Sequence, residues 1–181
     1  MAAEQPVLPQ NPTAFLPCSQ ITVAEAEALV EDPNVVFQTI SSNDEVFVRK
    51  TGAEIAMYAG STALRVPSEL RIRVAAFPNF EFYGVLANGH AELLDLLSFN
   101  GSSVCNRPLA ERLEVVLANQ MVSGNKASAL RLADVAFSES FKREMLAGLK
   151  RDKKKVLLVR SSSAKYNRPG RKVLFGRRMA F

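Results

Sequence analysis

Positive charge is concentrated at one end of this 181-residue chain. The stretch from Lys142 to Phe181 carries 14 lysines and arginines against two acids, a net charge of +12, whereas the preceding residues hold nine basic and 16 acidic residues, a net charge of −7. The overall charge of +5 therefore combines a weakly acidic body with a strongly basic C-terminal segment. This asymmetry indicates a polyanionic partner, most plausibly nucleic acid, because Lys and Arg contacts to phosphates dominate such affinities.

Composition and proline positions predict three regions. Apolar residues make up 48% of the chain, enough for a core in a single domain. Four prolines before residue 18 forbid a regular helix there. We therefore expect an extended N-terminal arm at residues 1–17, one globular domain at residues 18–149 and a basic C-terminal segment at residues 150–181.

The cysteines and the N-terminus favour an intracellular protein. Cys18 and Cys105 are too few for a disulfide framework and have no metal-ligand spacing. The first residues lack the basic and apolar regions of a secretion signal, and no apolar run approaches the length of a membrane span. We expect no membrane association.

The first third of the chain predicts one clear helix and one clear strand. Thr22 and Glu25 have the spacing of a capping box, which indicates a helix start. The β-branched and aromatic stretch from Val35 to Ile40 favours a strand. Residues 45–60 carry both strand and helix signals, and the pattern leaves the two alternatives open.

The middle of the chain predicts a β-hairpin followed by a short helix. Apolar residues alternate with arginines from Leu70 to Val74, which is typical of a half-buried strand. A turn at Pro78-Asn79 and a return strand at residues 80–85 complete the hairpin. Asn88-Gly89 ends it, and the leucine-rich stretch from Ala91 to Phe99 predicts a helix.

Two further helices and a basic tail follow. Pro108 is suited to the first turn of a helix that continues to about Val122, and apolar spacing predicts another helix from Ala127 to about Leu149. The tail alternates basic clusters with short apolar runs, as in a basic hairpin or an extended arm. The predicted fold class is mainly α with a small β-hairpin (α+β): a helical-bundle core with extended N-terminal and basic C-terminal arms.

Signals for catalysis are poor. His90, the only histidine, follows a glycine at a predicted helix start, where a structural or exposed role suffices. Glu111 and Glu114 flank Arg112 as on a solvated helix face. No phosphate-binding loop, zinc motif or nucleophile elbow is present. We therefore expect no enzyme, no catalytic residue, no metal and no cofactor; an enzyme built around His90 is the third hypothesis.

The basic segment has two parts that predict nucleic-acid contacts. One is a dense charge run: Lys150, Arg151, Lys153, Lys154 and Lys155. The other interleaves cations with an aromatic residue, as in sites where bases of single strands stack on rings: Lys165, Tyr166, Arg168, Arg171, Lys172, Arg177 and Arg178. A decorated helix end and a solubilising tail are the structural alternatives.

The predicted hairpin and its flanks resemble the coat proteins of rod-shaped plant RNA viruses of the tobamovirus type. The similar stretch runs from Ile72 to Tyr83 and includes Phe77-Pro78, followed by the leucine-rich residues 91–99. Upstream, Asn11 to Leu16 before the capped helix is also similar. The resemblance implies a helical bundle that packs laterally into a rod around single-stranded RNA, with Arg107 and Arg112, and more loosely Arg131, on RNA phosphates.

The leading hypothesis is thus a viral coat or nucleocapsid subunit, a structural protein that self-associates into a homo-oligomer or filament and packages single-stranded RNA. It would reside in the virion and the host cytoplasm. The alternative is a cellular RNA-binding accessory protein of the ribosome-associated type, which does not polymerise and whose basic C-terminal arm orders on binding.

Overall fold

The structure is a computed structural model, and it describes residues 18–41, 44–119, 121–122, 128–151, 155–166 and 170–174. The predicted N-terminal arm, residues 1–17, lies outside the described residues. The strands are β1 (Cys18–Ile21), β2 (Val35–Ile40), β3 (Glu45–Thr51), β4 (Glu54–Ala59), β5 (Thr62–Leu64), β6 (Phe80–Ala87), β7 (His90–Phe99), β8 (Ser102–Ser103), β9 (Leu130–Leu132), β10 (Val135–Ala136), β11 (Val156–Ser161) and β12 (Gly170–Leu174). The helices are α1 (Val23–Ala28), α2 (Ser68–Val74), α3 (Leu109–Ala118) and α4 (Glu139–Arg151).

Two sheets organise the described residues. The five-stranded sheet has the order β1-β12-β11-β2-β10, and the seven-stranded sheet has the order β5-β4-β3-β6-β7-β8 with β9 also paired to β7. Most neighbours are antiparallel; β1 with β12 and β7 with β9 are parallel. The first sheet therefore joins strands from both ends of the chain.

The two sheets face each other, and helices cover their outer faces. Ile40 of β2 and Leu158 of β11 pack between the sheets against Phe47, Tyr83, Val85, Leu94 and Leu97 of the seven-stranded sheet. The alternate residues of β2 and β11, such as Phe37 and Leu157, pack with α1 and α4. Helices α2 and α3 pack on the outer face of the other sheet. The layer order is helix, sheet, sheet, helix.

The predicted fold class is wrong, because the protein is mostly β and not a helical bundle. The clearest case is the leucine-rich stretch after Asn88-Gly89, which is strand β7 instead of a helix. Residues from Ala91 to Leu97 are buried whichever face of the sheet they occupy. A strand covered on both faces has no polar alternation, so its apolar run is easily taken for a helix.

The predicted hairpin is wrong in its first strand. Residues 68–74 form α2, where Leu70 and Val74, four positions apart, are fully buried and Ile72 is 76% exposed. Over five residues, this spacing fits a helix face as well as a strand face. The return segment is a strand, β6, but it pairs with β3 and β7.

Several local predictions are confirmed. Thr22 caps α1, and the capping box with Glu25 is formed on both sides. Residues 35–40 form β2, and Asn88-Gly89 turns the chain with positive φ angles of 49° and 81°. Helix α3 lies inside the predicted range. The predicted helix from Ala127 to Leu149 is wrong in its first part, because β9 and β10 lie there and α4 begins only at Glu139. The basic segment supplies β11 and β12 to the five-stranded sheet.

Candidate functional site

A group of fully buried polar side chains connects the two sheets. Asp95 of β7 accepts hydrogen bonds from Arg112 of α3 at both oxygens: Nε donates to Oδ1 at 2.6 Å and Nη2 to Oδ2 at 2.7 Å. Arg160 of β11 approaches the same carboxylate, with Nη2 2.5 Å from Oδ2. Gln38 of β2 accepts from Arg160 Nη1 at 3.3 Å. We call Gln38, Asp95, Arg112 and Arg160 the inner network.

Backbone carbonyls complete the inner network. Arg112 Nη1 donates to Ala164 O at 3.0 Å and also to the carbonyl of Arg107. Gln38 Nε2 donates to Leu94 O at 3.0 Å, which ties β2 directly to β7. Because the bidentate Arg–carboxylate geometry fixes both partners, the network holds the sheets and α3 in one arrangement.

Apolar side chains and two weakly acidic groups surround the inner network. The Tyr166 ring lies edge-on to Tyr83, with centroids 6.3 Å apart. Burial raises the pKa of the Tyr166 hydroxyl and the pKa of the Cys105 thiol above their usual values. Both groups are therefore neutral near pH 7, and neither provides a charged nucleophile.

A second polar group lies nearer the surface, where the end of β2 meets β7 and β9. The Ser41 hydroxyl donates to Glu92 Oε1 at 2.6 Å and the Ser41 amide donates to Oε2 at 3.2 Å. Arg131 Nη2 donates to Glu92 Oε1 at 2.6 Å, and His90 Nε2 lies 3.2 Å from the same oxygen and also contacts Arg131. We call Ser41, His90, Glu92 and Arg131 the outer network.

The outer network favours an ionised carboxylate at Glu92. Burial acts to raise the pKa of Glu92, but the hydrogen bonds from Ser41, His90 and Arg131 outweigh it and lower this pKa below 4.5. The Arg131 side chain is 24% exposed. The outer network is therefore less buried than the inner one, and a guanidinium is the side-chain chemistry that suits a phosphate.

Gly84 allows β6 and β7 to approach closely beside the outer network. A Cβ atom at Gly84 would lie 2.2 Å from Glu92 O. The register of the two strands shifts between Tyr83 and Gly84, as expected at a β-bulge. The close approach requires glycine, and the register shift leaves Leu94, between Glu92 and Asp95, out of the pairing of β6 and β7.

The structure distributes the predicted nucleic-acid residues over several surfaces. Arg112 is fully buried in the inner network, so a phosphate would reach it only after its ion pair with Asp95 was broken. Arg131 belongs to the outer network, while Arg107 and Lys165 are exposed and Tyr166 is partly buried. Lys150 pairs with Glu27 and Lys155 with Asp134, and Arg151 is exposed. Arg171 and Lys172 lie in β12; Lys153, Lys154, Arg168, Arg177 and Arg178 lie outside the described residues.

Sequence reasoning missed the four side chains that organise the site: Gln38, Glu92, Asp95 and Arg160. One signal was available, since Glu92 and Asp95 interrupt an otherwise apolar run. A carboxylate inside such a run is buried only when it is paired. The run was predicted to be a helix, and that prediction concealed the signal.

The described residues limit other site types. They contain no group of three or more His, Cys, Asp or Glu side chains that could hold a metal ion. None of their helices is long and apolar enough to cross a membrane.

Comparison with known proteins identifies the fold. No protein-family model matches the sequence, and no curated protein matches it. The structure is similar to a mycobacterial DNA ligase D complexed with ATP and MES, with a TM-score of 0.62 and 14% identity over 87% of this chain and 58% of that chain. It is also similar to the ligase domain of LigD from M. tuberculosis, with a TM-score of 0.60 and 15% identity over 87% of this chain and 57% of that one. The chain thus has the ligase-domain fold and spans under two thirds of these structures.

These likenesses overturn the functional predictions. The resemblance to tobamovirus-type coat proteins is wrong, because the fold is the β-rich fold of a DNA ligase domain. The capsid interpretation is wrong with it, and the accessory-protein alternative has no support. The prediction of no enzyme is contradicted, since the domains that share this fold are enzymes. A nucleic-acid partner is compatible with the fold, whereas self-assembly is unsupported.

Proposed function

We propose that this chain is part of a nucleotidyltransferase-type enzyme that acts on nucleic acid. The observation that carries the proposal is the likeness of 87% of the chain to the ligase domain of a DNA ligase. The basic balance of the C-terminal segment supports it independently, because phosphates are the ligands that such a charge distribution favours.

One exposed surface beside the inner network suits the nucleic-acid backbone. The segments 105–107 and 161–166 contact each other there: Tyr166 N donates to Cys105 O at 3.1 Å. The buried Arg112 connects both segments, because its guanidinium donates hydrogen bonds to the carbonyls of Arg107 and Ala164. Arg107 and Lys165 are exposed on these two segments, and we call this surface the loop face.

The outer network is the candidate for contact with the reacting phosphate. It combines a partly exposed guanidinium with a carboxylate, an imidazole and a hydroxyl. In phosphoryl and nucleotidyl transfer, catalysis depends largely on positioning and on cations near the transferring group. Arg131 is suited to that electrostatic role, and Glu92 holds Arg131 in place.

The transfer activity is tested with the full chain, Mg²⁺ and α-labelled ATP in the presence of nicked DNA or single-stranded RNA. We expect label to move to the protein or to the polynucleotide, and Arg131→Gln to reduce this transfer about tenfold or more through loss of transition-state charge stabilisation. Arg143→Gln is the matched control, because Arg143 is an exposed arginine on α4 whose ion pairs are with the surface carboxylates Glu31 and Glu139. Absence of label with well-folded protein would contradict the transferase proposal.

Nucleic-acid binding is tested separately by fluorescence anisotropy over a range of salt concentrations. The double variant with Arg107→Gln and Lys165→Gln should lose about tenfold in affinity, and its salt slope should become shallower by about two, one unit for each lost phosphate contact. Arg143→Gln should leave both quantities unchanged. An unchanged slope in the double variant would remove the loop face from the interface.

A further inference from the structure

The space between the two sheets is the natural place to test for a nucleotide, since ligand clefts form between packed layers. One of the similar ligase structures is complexed with ATP. In this chain the inner faces of the sheets meet in a continuous apolar cluster. Its buried members are all 7% exposed or less: Ile40, Phe47, Tyr83, Val85, Leu94, Leu97, Ala133 and Leu158.

The polar side chains of the inner network already have protein partners. The Arg112 guanidinium holds both oxygens of Asp95 and two backbone carbonyls, and Arg160 holds Asp95 and Gln38. A triphosphate would have to displace Asp95 from these arginines. That exchange would leave a buried carboxylate without its charge partners, which is strongly unfavourable.

Little hydrogen-bonding capacity for a ligand remains among the described side chains around the inner network. Among the described residues that pack around the inner network, the Tyr166 hydroxyl oxygen is buried without a hydrogen-bond partner. A single neutral hydroxyl is too little for the base, ribose and phosphates of a nucleotide. Among the lysines whose side chains the structure describes, the buried ones lie elsewhere: Lys142 donates to Asp32 O on the helix-covered side of the five-stranded sheet, and Lys50 donates to Gly52 O.

We infer that the residues between the sheets do not fit ATP, and that this chain uses the inner network to join its two sheets permanently instead of holding a nucleotide there. Nucleotide and nucleic acid then approach this chain at its outer surfaces. The inference goes beyond the proposed function and does not depend on it, since transfer at an outer surface remains compatible with a filled interior.

Hydrogen exchange of the full chain with and without Mg²⁺-ATP tests the inference. We expect no added protection at the amides of β2, β11 and residues 94–96, even at ATP concentrations that give protection elsewhere. Photolabelling with an azido-ATP should likewise leave peptides containing Gln38, Asp95 and Arg160 unlabelled. Label on these peptides, or slowed exchange confined to the inner strands, would overturn the inference.

A pair of variants separates packing from binding. Asp95→Asn removes the charge that would compete with a triphosphate, and Gln38→Leu keeps the volume but removes the polar contacts. We expect neither to raise ATP affinity, as measured by titration calorimetry. A tenfold gain in either variant would show that the network occupies a nucleotide site. Because Asp95→Asn is expected to reduce stability, Gln38→Leu keeps the test decisive if the first variant does not fold. Nucleic-acid binding in the same preparations reports on the proposed function separately.

Discussion

The inner and outer networks are built alike but lie in different surroundings. Each centres on a carboxylate of β7, Asp95 or Glu92, that is contacted by two basic side chains. The Asp95 carboxylate is completely buried with its partners Arg112 and Arg160. In the outer network, the side chain of Arg131 is 24% exposed. Burial removes the solvent screening of charges and also removes access to them. Similar groups can therefore hold the two sheets together in the inner network and remain open to solutes in the outer network.

Partial exposure also lowers the free-energy cost of exchanging a partner in the outer network. A charge at the edge of a structure can exchange a protein partner for water or for a substrate, whereas a fully buried charge has no such replacement. Under the proposed function, the outer network contacts the substrate and the inner network stabilises the fold. The variants below compare the two in order of decreasing expected effect.

The largest effect is expected from Asp95→Asn. The substitution keeps the size of the side chain but leaves Arg112 and Arg160 buried without a negative partner. The free energy of unfolding, measured by urea denaturation, should fall by about 3–5 kcal/mol, as when one member of a buried ion pair is removed. Glu31→Gln is a control, since Glu31 is an exposed partner of Arg143, and its effect should be near zero. A loss for Asp95→Asn as small as that of the control would remove the distinction between the networks.

A smaller and pH-dependent effect is expected from Glu92→Gln. Because hydrogen bonds lower the pKa of Glu92 below 4.5 in the folded protein, the folded state binds fewer protons there than the unfolded state. Its stabilising contribution is complete above pH 4.5 and is lost as the pH falls through the folded pKa. Wild type should therefore exceed the variant by about 1–2 kcal/mol at pH 7, and the difference should shrink in acid. A difference that stays constant from pH 7 to pH 3 would contradict this assignment.

The same two carboxylates show what the sequence could and could not predict. The sequence predicted the structure correctly where the local backbone conformation requires particular residue types. Thr22 with Glu25 caps α1, and Asn88-Gly89 forms a turn with positive φ angles. Tertiary burial overrode periodicity in β7, because both faces of that strand are covered and its leucines do not alternate with polar residues. Once β7 was read as a helix, neither Glu92 nor Asp95 could be placed in a site.

The other site residues could not be predicted because their partners are distant in sequence. Asp95 meets Arg160, 65 positions away, and Glu92 meets Ser41, 51 positions away. A spacing rule for motifs detects residues close in sequence, and no such rule joins these pairs. Arg112 illustrates the reverse error: its helix was predicted, but its orientation toward the interior was not, because the carboxylate that draws it inward belongs to a strand that was missed.

The smallest effect is expected from Ser41→Ala. The variant removes the hydroxyl that donates to Glu92 Oε1 at 2.6 Å but leaves the Ser41 amide and Arg131 in place. Stability at pH 7 should fall by about 0.5–1 kcal/mol, the contribution of one hydrogen bond. Because a donor to the ionised form is lost, the pKa of Glu92 should rise, and NMR titration of its carboxyl carbon measures that rise directly. Asp95→Asn, in contrast, should leave this titration almost unchanged, because Asp95 shares no hydrogen-bond partner with Glu92 among the described contacts. If Asp95→Asn shifted the Glu92 titration as strongly as Ser41→Ala, the two networks would have to be treated as one coupled unit, and the separation of stability from function along β7 would fail.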